Sequence, residues 1–395
     1  MVKTSNFEAR KLKLTRPKTL TEALKPTSLG YRMPAEWEPH AATWIAWPHN
    51  ADDWPGRFEP IPWVYAEIVR QLARVEQVRI VVNSVQLEAE ARKVLSSVGV
   101  DLHQVSFHRW PTDRVWTRDS GPIFIRRDDH SSGKRLGRPA RRSEFGDLSC
   151  PFAITHWHFN AWAKYSNWQK DSRLPGHIAT LLELPAWQPT ILVKGEQHRV
   201  VLEGGSIDVN GHGTLLTTEE CLLSAEQARN PGLDRRCLEA VFADYLGIRK
   251  VIWLNSGIAG DDTHGHVDDI ARFVGPSTVV AAVEKDRKDV NFAPLAENLA
   301  RLHAATDQDG RPLRVVEIPM PEPIFYEGTR LPASYANFYI ANGLVLVPVF
   351  NDANDRIALD VIAALLPTRK VVPIYCGDFI WGFGAIHCAT QQQPR

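Results

Sequence analysis

Tyr375-Cys-Gly-Asp-Phe-Ile-Trp-Gly-Phe-Gly-Ala-Ile-His-Cys-Ala-Thr-Gln-Gln-Gln-Pro-Arg395 closes the chain. Chain ends ordinarily fray and are polar. This one is apolar and glycine-rich, and it sets His387 and Cys388 beside amides. Gly382 and Gly384 permit positive φ and close backbone approach. Read alone, Cys388 is a structural thiol buried in a terminal strand, because free Cys is among the most buried residue types. What lies upstream decides whether it is instead a nucleophile.

Working outward, the 395 residues carry 46 Lys plus Arg against 46 Asp plus Glu. A formal charge of zero argues against a nucleic-acid or membrane-surface binder, which needs a basic excess. Five Cys at irregular spacing make no disulfide framework and no CxxC pair, so the expectation is a reduced, cytoplasmic protein. The first thirty residues hold no apolar signal-like core. The longest apolar run, Gly343 to Phe350, is too short to span a bilayer, which takes about twenty residues. Thirteen Trp, several in polar stretches, suggest a site lined with aromatic faces.

Residues 1–28 are polar and basic and read as a loose tail, with a weak helix over Thr21–Leu24. From residue 29 onward, strand and helix patterns alternate without a linker. Strands are expected at Thr43–Trp47, Val78–Val82, Pro122–Ile125, Ile154–Phe159, Thr214–Leu216, Val251–Leu254, Ile270–Val274, Thr278–Val283, Arg314–Ile318, Leu344–Val349 and Val371–Ile374. Helices are expected at Trp63–Val75, Gln86–Leu95, Cys237–Tyr245, Ala293–Ala304 and Asp355–Leu366. The reading is a single α/β domain over 29–395. It is interrupted at about 126–146 by a basic stretch with almost no apolar residues, expected to be a solvated insertion loop.

Five stretches combine Gly, Trp and ionisable residues where loops belong. They are Pro111–Pro122, Leu202–Asp208, Gly260–Arg272, Asn351–Asp355 and the Cys388 tail. Each has a plain structural explanation: Asp119 and Glu203 in turns, Asp352 and Asp355 as helix caps. His264 and His266 flank Gly265, but no third metal ligand stands at a familiar spacing, so no metal is expected. Taken together they suggest chemistry. Cys388 offers a nucleophile, and a His at 264, 266 or 387 offers a proton carrier near neutral pH. Asp119, Glu203 and Asp268 add carboxylates, which by themselves oppose thiolate formation. They make sense if the substrate carries a permanent planar cation. A guanidinium does, and carboxylates grip its fork of N–H donors.

These residues bring out a family pattern. Met33-Pro-Ala-Glu-Trp-Glu-Pro-His40 with Trp44–Pro48, Trp116-Thr-Arg-Asp-Ser-Gly-Pro122, Leu202-Glu-Gly-Gly205, Gly265-His-Val-Asp-Asp269, Ser334-Tyr-Ala-Asn-Phe-Tyr339 and Ile386-His-Cys-Ala-Thr-Gln-Gln392 run across residues 30 to 395. In this combination the chain resembles the agmatine deiminase group of the guanidino-group-modifying enzymes, which includes the bacterial-type peptidylarginine deiminases. The resemblance implies a five-bladed, pseudo-symmetric α/β propeller of ββαβ modules with a central site. It implies Cys388 as nucleophile, His266 as general acid and base, and Asp119 and Asp268 as the guanidinium clamp. Glu203 would orient or charge-balance His266, and Trp116 could stack on the guanidinium plane. Gly384 and Asn337 count among the substrate-binding residues. If residues 266–268 are extended, His266 and Asp268 face one side. No cofactor is implied, the partner is a small cationic guanidino compound, and a homo-oligomer is left open.

Two features depart from the family pattern. Phe383 and Ala385 stand where the family carries Gly and Asn, and Phe383 would narrow the site. The stretch Trp162–Asp171, expected near the substrate's far end, does not follow the agmatine-specific members closely. The expected reaction is agmatine plus water to N-carbamoylputrescine and ammonia. The rival substrates are peptidyl-arginine or another arginine derivative. The rival class is a catalytically idle guanidine- or polyamine-binding protein.

Overall fold

The computed structural model describes residues 24–128 and 150–395. All but Leu24 of the expected helix at 21–24, and most of the 126–146 stretch, lie outside them.

One building rule recurs. Ala271–Gly275 lies antiparallel to Thr278–Val283, the helix Phe292–Ala304 crosses over, and Arg314–Pro319 returns parallel to Thr278–Val283. Asp208–Val209, Thr214–Thr218, helix Arg235–Leu246 and Lys250–Leu254 repeat the pattern. So do Tyr339–Ala341, Leu344–Val349, helix Asp355–Leu365 and Lys370–Tyr375. Ile123–Arg127, Phe152–Thr155, helix Leu174–Leu182 and Ala186–Trp187 form another, with Tyr31–Arg32 added at the edge. The last is assembled from both ends of the chain. Gln391–Pro394 lies antiparallel to His40–Ala46, which then runs parallel to Gln77–Val82 and on to Val105–Arg109. The result, among the described residues, is an α/β fold of mixed sheets, three or four strands each, with two small antiparallel pairs besides.

The sequence explains the elements locally. In the helix Ile61–Leu72, Ile61, Tyr65, Ile68, Val69 and Leu72 recur at helical spacing and are all buried. Helix Arg235–Leu246 starts where the Asp234 side chain accepts the Cys237 N–H and stops at Gly247, φ 74°. The middle strands, Thr278–Val283 and Leu344–Val349, read as continuous apolar runs because both faces are covered.

Three expectations are corrected. Residues 24–29, ahead of or at the expected boundary at 29, are packed against the fold. Leu24 O accepts from Trp187 Nε1 at 3.0 Å, Lys25 Nζ donates to Tyr245 OH at 2.8 Å, and a short turn over Pro26–Leu29 follows. Arg126 and Arg127 belong to the strand Ile123–Arg127 rather than to a loop, and Arg126 pairs with Glu38 and Asp128. Cys388 precedes the terminal strand instead of lying in it.

The connection between modules positions the chemistry. Thr117–Ser120, Gly204–Ser206, Val267–Asp269, Ser334–Asn337 and Ile386–Cys388 each stand just before the first strand of one sheet. Four of the five expected site stretches hold this place. Asn351–Asp355 does not. The Asp355 carboxylate accepts from Phe350 N and Asp352 N and from the Tyr335 hydroxyl, so it fixes a turn rather than capping its helix, whose N-cap is Asn354.

Candidate active site

A cavity of about 320 Å³ opens where these connections meet. Cys388, Asp119, Trp116, Trp162 and Gly384 line it together. Among its other lining residues are Asp53, Arg114, Tyr165, Asn167, Asp262 and Phe383.

The Cys388 thiol is held from one side. Asn337 Nδ2 lies 3.2 Å from Sγ, and Asn337 Oδ1 accepts from His387 N and Cys388 N. Asn337 is wholly buried and does not line the cavity, so it positions the thiol and its loop. Asp268 Oδ2 is 3.8 Å from the sulfur. Burial, then the charges of Asp268, Asp269 and Asp119, push the thiol well above its ordinary range.

His266 is fully buried among carboxylates. Its Nδ1 lies 3.8 Å from Asp119 Oδ1 and 4.0 Å from Asp268 Oδ1, and its Nε2 lies 3.7 Å from Glu203 Oε2. These distances exceed hydrogen-bond length, and both ring nitrogens lack a partner. Burial alone would depress the imidazole. Asp119, with Cys221 and Glu203 close by, outweighs it and holds the ring well above its ordinary range. Segment 266–268 is not extended as expected: Val267–Asp269 forms a single 3-10 turn after His266. The turn itself brings His266 and Asp268 together.

Asp119 is gripped rather than free to swing. Gly205 N donates to Oδ1 at 3.0 Å and Trp162 Nε1 donates to Oδ2 at 2.9 Å. Burial pushes its carboxyl up to about 6 even though His266 pulls the other way. Asp268 Oδ2 accepts from His387 Nδ1 at 2.7 Å, while Oδ1 is buried without a partner. Burial opposes the ionisation of Asp268, but His387 overcomes it and keeps the carboxyl below its usual range. Glu203 is paired with Arg229 at 3.1 Å, both side chains fully buried. Burial again opposes ionisation, and Arg229 and His266 outweigh it, lowering the carboxyl to about 2.

Gly205 is required by space. A Cβ there would stand 2.6 Å from His266 Nδ1 and 2.9 Å from Asp119 Oδ1. A Cβ on Gly384 would come 2.8 Å from the Trp116 ring. Between Gly382 and Gly384, Phe383 adopts the left-handed region at φ 62° and lines the cavity.

Of the three candidate His residues, only His266 lies close to Asp119, Glu203 and Asp268 together. His264 is turned to Ser224, and His387 bridges Asp268 and Glu36. The sequence reading missed several residues. Glu36 accepts from His387 Nε2, Arg118 Nη2 and Ile340 N, and forms an ion pair with Arg272 at 2.9 Å, at the centre of a buried ionic cluster. Arg229, which holds Glu203, was also missed, and Trp162, singled out only as the start of a stretch near the substrate's far end, holds Asp119. Glu36 and Arg118 lie inside quoted motifs, yet nothing in their spacing marks them as partners.

Among the described residues Glu203, Cys221 and His266 place three ligand-type atoms within 4.8 Å of one another. His264 is not among them, so the pair of histidines considered in the sequence does not form the cluster. The fixed charge of Arg229 on Glu203 opposes a divalent cation there.

Chemically, the cavity offers a thiol whose ionisation is resisted by carboxylates and the Asp119 carboxylate beside Trp162; His266 and Asp268 are fully buried next to Asp119 and do not line it. A bound cation would remove the obstacle to the thiolate.

A family model described as Porphyromonas-type peptidyl-arginine deiminase matches residues 32–394. The agmatine deiminase of Pseudomonas fluorescens (strain SBW25) is 35% identical over 393 residues, covering 93% of this chain and 97% of the relative. That of Medicago truncatula is 35% identical over 395 residues, covering 93% and 98%. The solved agmatine deiminase of Enterococcus faecalis superposes with a TM-score of 0.81 at 30% identity, covering 96% of this chain and all (100%) of the other. A substrate-bound agmatine deiminase from C. jejuni gives 0.76 at 27% identity, covering 92% and 96%.

Proposed function

The chain belongs to the Porphyromonas-type peptidyl-arginine deiminase family, and on that premise we propose that it hydrolyses agmatine to N-carbamoylputrescine and ammonia. It is a hydrolase of the C–N bonds of a guanidino group. The agmatine deiminases it resembles support the substrate. The observation that carries the reading is the shared cavity, where Cys388 and Asp119 stand together beneath Trp116 and Trp162.

Asp119 and the unpartnered Oδ1 of Asp268 receive the guanidinium fork, and Trp116 covers its plane. The bound cation offsets the carboxylate field and lets Cys388 release its proton to solvent. The thiolate attacks the guanidinium carbon. His266, held charged by its neighbours, protonates one amino group, and ammonia leaves. A thiouronium remains on Cys388. His266, now neutral, takes a proton from water, which attacks the same carbon. The C–S bond breaks, releasing the ureido product and the thiol. Glu203 keeps the imidazolium favourable, and Asn337 holds the sulfur in line.

The five like-built sheets, each preceded by one site segment, support a five-bladed ββαβ propeller around this centre. The direct test is ammonia release from agmatine, free arginine and an arginyl peptide. Turnover confined to arginine or the peptide would replace the agmatine assignment. No turnover of any, with agmatine still bound, would favour a binding protein.

A further inference from the structure

The reaction as described leaves one buried thiol beside the proton carrier without a task. Cys221 is wholly buried on the short helix Glu219–Leu223. Its sulfur, a Glu203 oxygen and a His266 ring nitrogen lie within 4.8 Å of one another. The fold fastens this helix to the His266 turn. Thr218 Oγ1, the helix N-cap, accepts from Cys221 N at 3.0 Å and donates to Gly265 O at 2.5 Å. Glu220 Oε2 accepts from Gly257 N at 2.7 Å, and a Cβ on Gly265 would stand 2.8 Å from that same oxygen.

Two orphaned atoms show what the sulfur can do there. Glu203 Oε2 and His266 Nε2 approach to 3.7 Å, beyond hydrogen-bond length, and both are buried without a partner. Buried polar atoms are normally satisfied. A thiol offers one donor hydrogen and acceptor lone pairs, so it can accept from Nε2–H and donate to Oε2. The other charges around the ring have their places. Asp119 and Asp268 stand on the Nδ1 side, and Asp269 is turned to Asn337. Asp261 accepts the backbone N–H of His266, and Arg229 occupies Glu203 Oε1, leaving Oε2 over. Burial depresses the imidazole, and Asp119 and then Cys221 are the strongest influences against it.

We propose that Cys221 is a positioning residue for the proton carrier: its thiol bridges His266 Nε2 and Glu203 Oε2, so that Nδ1 is left to face the bound guanidinium. This rests on the guanidine-hydrolase reading, which gives His266 its task, yet the bridge is measurable without turnover.

The test follows the His266 titration by nitrogen NMR in histidine-labelled native protein, Cys221→Ala and Cys221→Ser, the His266 signals being those lost in His266→Gln. Cys221→Ala should move the titration midpoint down by roughly one pH unit, the weight of one hydrogen bond to a charged group. Cys221→Ser, which still donates and accepts, should restore most of it. The basic limb of kcat for ammonia release requires a charged His266, so it should move down in the alanine variant and return in the serine one. A packing role would lower kcat without moving the limb. An unmoved titration in Cys221→Ala, or an equal displacement in both variants, overturns the proposal. If Cys221→Ala fails to fold, the infrared S–H stretch of the native protein, assigned by its loss in Cys221→Ser, decides: a hydrogen-bonded frequency supports the bridge and a free one overturns it. A bridge found in a protein that releases no ammonia would keep Cys221 as the partner of His266 and remove the hydrolase reading, whereas turnover without a bridge would do the reverse.

Discussion

Cys388 sits where ionisation is resisted, first by burial and then by Asp268, Asp269 and Asp119. A raised thiol is neutral at about pH 7, so neutral iodoacetamide should alkylate it slowly, speeding up only as pH rises beyond the ordinary thiol range of about 8.5. A haloacetamidine carries its own cation to Asp119 and should alkylate Cys388 quickly at about pH 7. Mass mapping after brief exposure separates these, and similar neutral-pH rates for the two reagents would refute the idea of a substrate-induced thiolate. Cys376 is fully buried and outside the cavity, and should stay unlabelled by both. Asp119 gives the complementary case. Its folded carboxyl is raised to about 6 by burial, above the unfolded value of about 3.9, so ionisation costs the empty protein stability as pH rises through that window. Asp119→Asn should lose agmatine binding and turnover, yet be more stable to urea by about 1 kcal/mol near pH 8, with the gain vanishing below about pH 4. A loss of stability near pH 8 would show that its bonds to Gly205 and Trp162 matter more than its charge. At this scale the sequence was informative about identities: Cys388, His266, Asp119, Asp268 and Glu203 do converge. It was silent on Arg229, because a buried ion pair has no signature in spacing.

The elements explain why so few residues suffice to build the site. Each site segment is a short turn just before the first strand of a sheet, so one backbone habit delivers a side chain five times. Strand and helix existence was readable from apolar periodicity, and the boundaries of Thr278–Val283 and Leu344–Val349 agree residue for residue. The repeat was not readable, because it lives in pairing order rather than in residue similarity. That is also why Asn351–Asp355 competed with Ser334–Asn337: both combine turn formers and polar groups, and only the sheet shows which precedes a first strand. The turn at Gly204–Ser206 makes the packing demand specific. A methyl on Gly205 would stand 2.6 Å from His266 Nδ1, 2.9 Å from Asp119 Oδ1 and 3.1 Å from Asp268 Oδ2. Gly205→Ala should therefore fold but displace the proton carrier from the clamp, lowering kcat by roughly 10²-fold, the usual consequence of an ångström-scale misplacement. Steady-state ammonia release, with circular dichroism as the fold control, checks this. Near-native kcat would mean that the 266–269 turn yields without cost.

Over the whole molecule, the ends of the chain close the structure, and Glu36 secures the closure. Gln391–Pro394 docks on His40–Ala46. Just before each of these strands, His387 and Glu36 meet at 2.7 Å. Glu36 also binds Arg118, Arg272 and Ile340 N, and Arg272 reaches Asp208 and Phe338 O. Residues from the segments that precede each sheet, or from the first strands themselves, are thus tied to one carboxylate. Because His387 carries Asp268 on its other nitrogen, the tie is also continuous with the site. Burial opposes the charge on Glu36, but Arg272, His387 and Arg118 outweigh it and hold the carboxyl well below its usual range. A depressed folded value means stability that is present above the unfolded range of about 4.3 and lost as pH falls toward the folded value. Glu36→Gln leaves two buried arginines short of a counter-charge, which costs about 3–5 kcal/mol when one partner of a buried pair is removed. Urea unfolding at about pH 7 should show that loss. Repeated at about pH 3, the gap between native protein and variant should shrink, because the native protein then surrenders the same charge advantage through its unfolded state. A gap independent of pH would mean that Glu36 acts through shape and hydrogen bonding alone. A variant as stable as the native protein at about pH 7 would show that the sheets close without it.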